Sequence, residues 1–392
     1  MRLSRTITGL TGGGDDGWSV FYKARAMVAA GEPVIELTIG EHDIKTSRDI
    51  LDAMHDSAVG GRTGYAIVPG IPDLRDEVAK RLTERTGVPT TRGNVLITPG
   101  GQAALFASHM AVLDPGDIAL YVDPYYATYP GTLRAAGGIA RSVAALAENG
   151  FQPRAEDISA ACEGDGKVKS LLLNSPNNPT GVIYSRETLD QIAEVAVARD
   201  FWVISDEVYD TQIWEGEHVS IRSIPNMDER TLVVGSMSKS HAMTGSRVGW
   251  IVGPEHAIQH LINLATHTTY GVAGFIQDAA LYALRQGIEP EEKIAAPFLR
   301  RRDLALDLLA KQNLVKAVPP QGAMYMMLDL RATGLSGEDF ANRLLNAHRI
   351  AVMPGESFGK AAAGHIRVAM TVDDDRFVAA FQTLLDFAAE QV

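Results

Sequence analysis

Residues 236–247 read SMSKSHAMTGSR and follow the apolar run TLVVG directly. Ser236, Ser238 and Arg247 supply two hydroxyls and a planar, always-charged guanidinium, a set suited to holding a phosphate ester. Lys239 stands between Ser238 and Ser240. An amine, unlike a guanidinium, can give up its proton and form a Schiff base with a carbonyl carbon. Other polar groups sit in comparable places. Asp206 follows FWVIS; it can cap the next helix or hold a ring nitrogen protonated through a charge-assisted hydrogen bond. Tyr126 and Tyr209 offer an aromatic face and a phenol, or ordinary packing. In PGGQ, Gly100, Gly101 and Gln102 open a helix, where backbone N–H groups can face an anion, although a tight turn uses glycine for steric reasons alone.

The elements that must carry these groups alternate along the chain from about 48 to 285. NVLIT (94–98), DIALYV (117–122), SLLLN (170–174), FWVIS (201–205), TLVVGS (231–236) and RVGWIVG (247–253) are short apolar runs bounded by turn residues and separated by helical spacing. That pattern predicts an α/β fold with a mostly parallel central sheet covered by helices on both faces. Ligands in such sheets bind beyond the carboxyl ends of the strands, and nearly every polar cluster above follows one of these runs. From about 290 the pattern changes. A long amphipathic helix (EEKIAAPFLRRRDLALDLLAKQ) precedes three strand-like runs (GAMYMMLDL, RIAVMPG, HIRVAM) and a last helix. The expected organisation is a large domain over 48–285 and a smaller α+β domain built from 1–47 and 286–392.

Bulk properties remove several classes. The net charge of −12, with no basic block, offers no track for a phosphate backbone, so nucleic acid is not an expected partner. A single cysteine, Cys162, excludes a disulfide framework or a cysteine zinc site within one chain. No apolar run reaches the length needed to span a membrane, and the first residues lack the apolar stretch of a signal peptide. A reducing cytoplasm is the expected location, and no metal is called for.

A phosphate cup, a carboxylate for a ring nitrogen, an aromatic face and a Schiff-base lysine are jointly what pyridoxal phosphate requires. At this point SMSKSHAMTGSRVGW, NSPNNPTG, SDEVYD, TPGGQAAL, DPYYATYP, YAIVPGIPDLR and HIRVAM together resemble the class I/II aminotransferases of the fold-type I pyridoxal-phosphate family, in order and spacing, over nearly the whole chain. The resemblance implies that Lys239 forms the Schiff base and moves the proton of the substrate α-carbon. It implies that Asp206 pairs with the pyridine nitrogen, that Asn178 and Tyr209 bond the ring's 3′-oxygen, and that Tyr126 stacks on the ring. The phosphate falls to the turn at Gly100, Gly101 and Gln102, with Ser236, Ser238 and Arg247. Arg367 of HIRVAM grips the substrate α-carboxylate, with Asn174 or Asn178 and the backbone of Gly40. Tyr65 reaches the phosphate in the neighbouring subunit, which implies a homodimer with shared sites.

The expected reaction is transfer of the amino group of an L-α-amino acid to a 2-oxo acid in ping-pong fashion. A carbon–sulfur β-lyase on the same scaffold is the alternative; a catalytically retired binding module is disfavoured by the intact Lys239, Asp206 and Arg367. No G-x-G-x-x-G follows the early strands, which disfavours a nucleotide-dependent oxidoreductase. Three departures bear on specificity. GEHDI (40–44) replaces the family's glycine-x-proline-aspartate-phenylalanine, Gln102 stands where many relatives carry lysine, and the helix after it has no lysine or arginine. Neutral donors such as alanine or methionine are therefore favoured over aspartate. His109, on that helix, is expected to pack and not to serve as a distal cation.

Overall fold

The computed structural model describes residues 1–14, 17–164 and 166–392. Its larger sheet has seven strands: β2 (Val95–Thr98), β3 (Ile118–Asp123), β4 (Ile139–Ala144), β5 (Val168–Asn174), β6 (Trp202–Asp206), β7 (Thr231–Ser236) and β8 (Gly249–Val252). Their spatial order is β2-β8-β7-β6-β5-β3-β4. All pairings are parallel except those of β8, which runs antiparallel to β2 and β7.

The strands are apolar throughout because both faces are covered, and successive side chains divide between the faces. Leu171, Leu173 and Val203 pack with the helix Arg186–Arg199. Leu172 and Ile204 pack on the opposite side with the helices Gly101–Val112 and Glu255–His267. The edge strand β4, absent from the sequence reading, has only Val143 buried. Its half-exposed IARSVA lacks the continuous apolar signature of its neighbours because most of its side chains lie outside the core, whereas those of β2, at the other edge, are all buried.

The second sheet has the order β1-β11-β12-β10-β9, with β1 (Ile35–Leu37), β9 (Lys316–Ala317), β10 (Tyr325–Asp329), β11 (Ile350–Pro354) and β12 (His365–Ala369). Only β1 and β11 pair in parallel, Ile35 opposite Ile350; the others are antiparallel. The N-terminal strand therefore docks on a sheet otherwise made from the end of the chain. Its core includes Phe298 of the long helix Glu289–Leu309 and Phe377 and Phe381 of the helix Asp374–Ala389. Each of these buried rings contributes about 2–3 kcal/mol by removal from water.

No helix among the described residues is long and apolar enough to cross a membrane. Among them, no group of three or more histidine, cysteine, aspartate or glutamate side chains is arranged to hold a metal ion.

Candidate active site

The parallel strands end in register. Asn174 of β5 lies opposite Asp206 of β6, and Asp206 opposite Val234 of β7, two residues before Ser236. At these ends lies a cavity of about 460 Å³ walled by Asn174, Asn178, Asp206, Tyr209, Ser236, Ser238, Lys239 and Arg247, together with Gly40, Gly101, Gln102, Tyr126 and Arg367. Two residues named from the sequence do not line it. Gly100 stands behind the wall, and Tyr65 is almost wholly exposed, its ring edge-on to Tyr270 at 5.2 Å.

Lys239 is carried by a single helical turn, Met237–Ser240. Ser236 caps it, accepting from the Ser238 N–H at 3.1 Å, and its hydroxyl donates to that of Ser238 at 2.9 Å. The lysine amine donates to the Gly40 carbonyl and lies 5.9 Å from the centre of the Tyr209 ring. Arg247 follows in a left-handed conformation (φ 50°) and donates to Thr244 O at 2.8 Å. Behind it Gly100 has φ 84°, and a Cβ there would fall 2.5 Å from the Arg247 guanidinium. Only glycine serves both the positive φ and the close approach. Gly101 begins the helix Gly101–Val112, so unpaired N–H groups and the positive helix end face the same space as Arg247. Gln102 is held sideways: its amide donates to Thr132 at 2.8 Å and accepts from Thr128 at 3.1 Å.

Asp206 is buried. Its Oδ2 accepts from the Tyr129 hydroxyl at 2.6 Å and its Oδ1 from the Val208 N–H at 3.3 Å. Burial outweighs these bonds and pushes its pKa up to about 6. Asn174 ties the floor together, donating to Asp206 O at 2.9 Å and accepting from the Asn178 N–H at 2.8 Å. The Tyr209 and Tyr325 hydroxyls lie 2.9 Å apart, and burial holds the Tyr209 phenol well above its usual range. Burial likewise raises Tyr126, to about 12. Gly40 accommodates Tyr325: a Cβ on it would land 1.7 Å from the Tyr325 hydroxyl oxygen.

Arg367, 1 % exposed, projects from β12 between two rings, 4.4 Å from the centre of Tyr325 and 4.3 Å from that of Phe358. It donates to Asn178 Oδ1 at 2.7 Å and to Thr38 O. No carboxylate among the described residues pairs with it, and its Nε has no partner. A buried cation left without a counter-ion is costly, and burial depresses its pKa. The cavity is therefore built for an anion at this end and for a second one at the Arg247 end.

Tyr129 and Tyr325 were missed by the sequence reading, as were the cavity-lining Trp18, Thr244 and Gly245. His109 is a packing residue, as expected: fully buried, outside the cavity, and held neutral because burial lowers its pKa to about 3.

A family model described as "Aminotransferase class I and II" matches residues 32–384. The chain is 40% identical over 390 residues to the arginine–pyruvate transaminase of Pseudomonas aeruginosa, covering 100% of this chain and 99% of that protein. It is 36% identical over 356 residues to the aspartate/prephenate aminotransferase of Thermus thermophilus, covering 90% of each. The solved structure of the aspartate aminotransferase from Thermus thermophilus with maleate matches with a TM-score of 0.90 at 35% identity, over 100% of both chains.

Proposed function

We propose, from the premise that this chain belongs to the class I and II aminotransferases, that it transfers the amino group of an L-α-amino acid to a 2-oxo acid in a ping-pong cycle with pyridoxal phosphate attached at Lys239. The observation that carries this reading is Arg367, a buried guanidinium with no carboxylate partner among the described residues, in the same cavity as Lys239. The residues present fit the cofactor. Arg247, Ser236, Ser238 and the helix start at Gly100, Gly101 and Gln102 would hold its phosphate, Asp206 its ring nitrogen, Asn178 and Tyr209 its ring oxygen, and Tyr126 its face. When bound, pyridoxal phosphate supplies an aldehyde for a Schiff base and a ring that takes up the electron pair released at the substrate α-carbon.

The protein's own part is binding, orientation and proton handling. Arg367 presents a planar fork to the α-carboxylate, with Asn174, Asn178 and the Gly40 backbone beside it. This fixes the α-carbon on the Lys239 side of the cavity. With cofactor and substrate bound, the lysine amine would accept the α-proton and hold it for return. Asp206 keeps a positive charge favourable on the ring nitrogen. Arg367→Lys keeps the charge but loses the fork; we expect KM for the amino acid to rise about 10- to 100-fold, with kcat changed less. A KM ratio near one in steady-state kinetics would remove Arg367 from this role.

Neutral donors are favoured over aspartate because, among the described residues, the cavity wall has no cation beyond Lys239, Arg247 and Arg367, and Gln102 is engaged by two threonines. Arginine joins the panel because a relative at 40% identity is named for it. The relatives reported above are named for amino transfer, which gives the lyase alternative no support. The test is the visible spectrum of the purified protein with amino acids added singly. A yellow band that bleaches with certain amino acids and returns with a 2-oxo acid supports transfer. A band that persists while ammonia accumulates, or no band after added pyridoxal phosphate, overturns the reading.

We further propose a homodimer in which exposed Tyr65 completes the partner's phosphate site, since in its own chain it stands outside the cavity. Mixing Tyr65→Phe and Lys239→Ala chains then yields heterodimers with one intact site. Partial recovery of activity is expected; recovery no greater than the sum of the two parents would count against sharing.

A further inference from the structure

Lys239 sits on one helical turn, so its main-chain carbonyl lies at a helix end, where carbonyls have no intrahelical donor. Two buried side chains supply donors. His42 Nε2 lies 3.0 Å from Lys239 O, and Gln212 Nε2 donates to it at 3.3 Å. A carbonyl only accepts, so the His42 proton is on Nε2, and Nδ1, without a partner among the described residues, is the bare nitrogen. Burial first, then the Lys239 charge, lowers the His42 pKa to about 4, which keeps this tautomer neutral at pH 7.

The ring is fixed from its other side by the long helix Glu289–Leu309. It meets Phe298 edge-on at 5.4 Å. The next residue, Asp43, is paired through both oxygens with Arg301, at 2.6 and 3.1 Å. Three residues further on, the Thr46 hydroxyl donates to Ala242 O at 2.6 Å. Residues 40–46 thus run from the helix that packs on the second sheet to both sides of the Lys239 turn. They touch the lysine at each end, since its amine donates to Gly40.

We propose that His42 is a positioning residue for Lys239: by donating to its carbonyl it fixes the lysine turn against the helix Glu289–Leu309, so that the amine meets the cofactor aldehyde in an attacking orientation. This rests on the assignment of Lys239 in the preceding subsection. A single turn has little rigidity of its own, and the two side chains that donate to Lys239 O are buried. Removing the shorter of the two bonds leaves that carbonyl to Gln212 alone, at 3.3 Å, and frees the turn to rotate, which carries the amine with it. Displacements near 1 Å are enough to slow bond formation by one or two orders of magnitude.

The full-length chain, stripped of cofactor, is mixed with pyridoxal phosphate and growth of the visible band is followed by stopped flow. Affinity for pyridoxamine phosphate, which has no aldehyde and forms no bond to lysine, is measured in parallel. His42→Met removes the donor at similar volume; His42→Gln restores an N–H. At saturating cofactor His42→Met is expected to slow bond formation about tenfold or more, while affinity for pyridoxamine phosphate stays within about twofold, and His42→Gln recovers most of the rate. If His42→Met is too unstable to assay, His42→Phe, which keeps a ring against Phe298 without a donor, takes its place. Equal rates in the parent and the donorless variant overturn the proposal alone, as does His42→Gln remaining as slow as the donorless variant. A parent that develops no band overturns the proposal and the cofactor assignment together.

Discussion

Lys239→Ala protein is expected to fold as the parent does and to lose turnover by about 10,000-fold or more, the combined effect of removing the nucleophile and the proton carrier proposed above. The two halves of that expectation have separate causes. The turn that bears Lys239 is held by its main chain: Ser236 caps it, and His42 and Gln212 bond its carbonyl. None of these contacts uses the lysine side chain, whose amine donates to Gly40 O. Truncation also removes one positive charge from a cavity that already holds Arg247 and Arg367. The melting temperature of the cofactor-free chain should therefore change little, while 2-oxo acid production from any donor falls to the background of the free cofactor. An alanine variant within tenfold of the parent would sink the assignment of Lys239. A variant that fails to fold would instead show that the side chain has a structural duty absent from these contacts.

Why Lys239 could be found from the sequence, and Tyr129 could not, follows from where each contact lies along the chain. Ser236, Ser238, Lys239 and Arg247 share one strand end and the turn after it, so local spacing shows them together. Asp206 and Asn178 are equally visible, each following an apolar run that ends at the same edge of the sheet. The parallel sheet itself was legible because buried strands are continuously apolar; β4 escaped because only its Val143 is buried. Tyr129 meets Asp206 from 77 residues away, and Tyr325 meets Tyr209 from 116 residues away. Inside DPYYATYP and GAMYMMLDL these tyrosines look like any half-buried aromatic. His42 was noticed only as a departure in GEHDI; its bond to Lys239 spans 197 residues and depends on how β1 docks onto β11. Periodicity reports which face is buried, and it carries no information about which buried polar groups meet across elements.

Asp206→Asn is expected to be more stable than the parent at pH 8 when the cofactor is absent, and to be at least about 100-fold slower when it is present. Asp206 titrates near 6 in the folded chain and near 4 when unfolded. Below about pH 4 both states hold the proton, and the carboxyl is no burden to the fold. Between about 4 and 6 the unfolded chain ionises first, so the stability contributed by the protonated group is lost as the pH rises through 6. Above that, the buried carboxylate costs up to about 3 kcal/mol, two units at roughly 1.4 kcal/mol each. Asparagine carries no such cost. Its amide oxygen can still accept from Tyr129, and the bond from the Val208 N–H at 3.3 Å is the one lost, for about 1 kcal/mol. A net gain of about 1–2 kcal/mol is expected at pH 8 in denaturant melts, shrinking toward zero or reversing at pH 4. On the proposed assignment the catalytic loss has the same origin read in reverse: a cationic ring nitrogen would need an anion beside it, and a neutral amide supplies none. Equal stability of the two proteins at pH 8, with equal turnover, would show that Asp206 is a cap and not the partner of the ring.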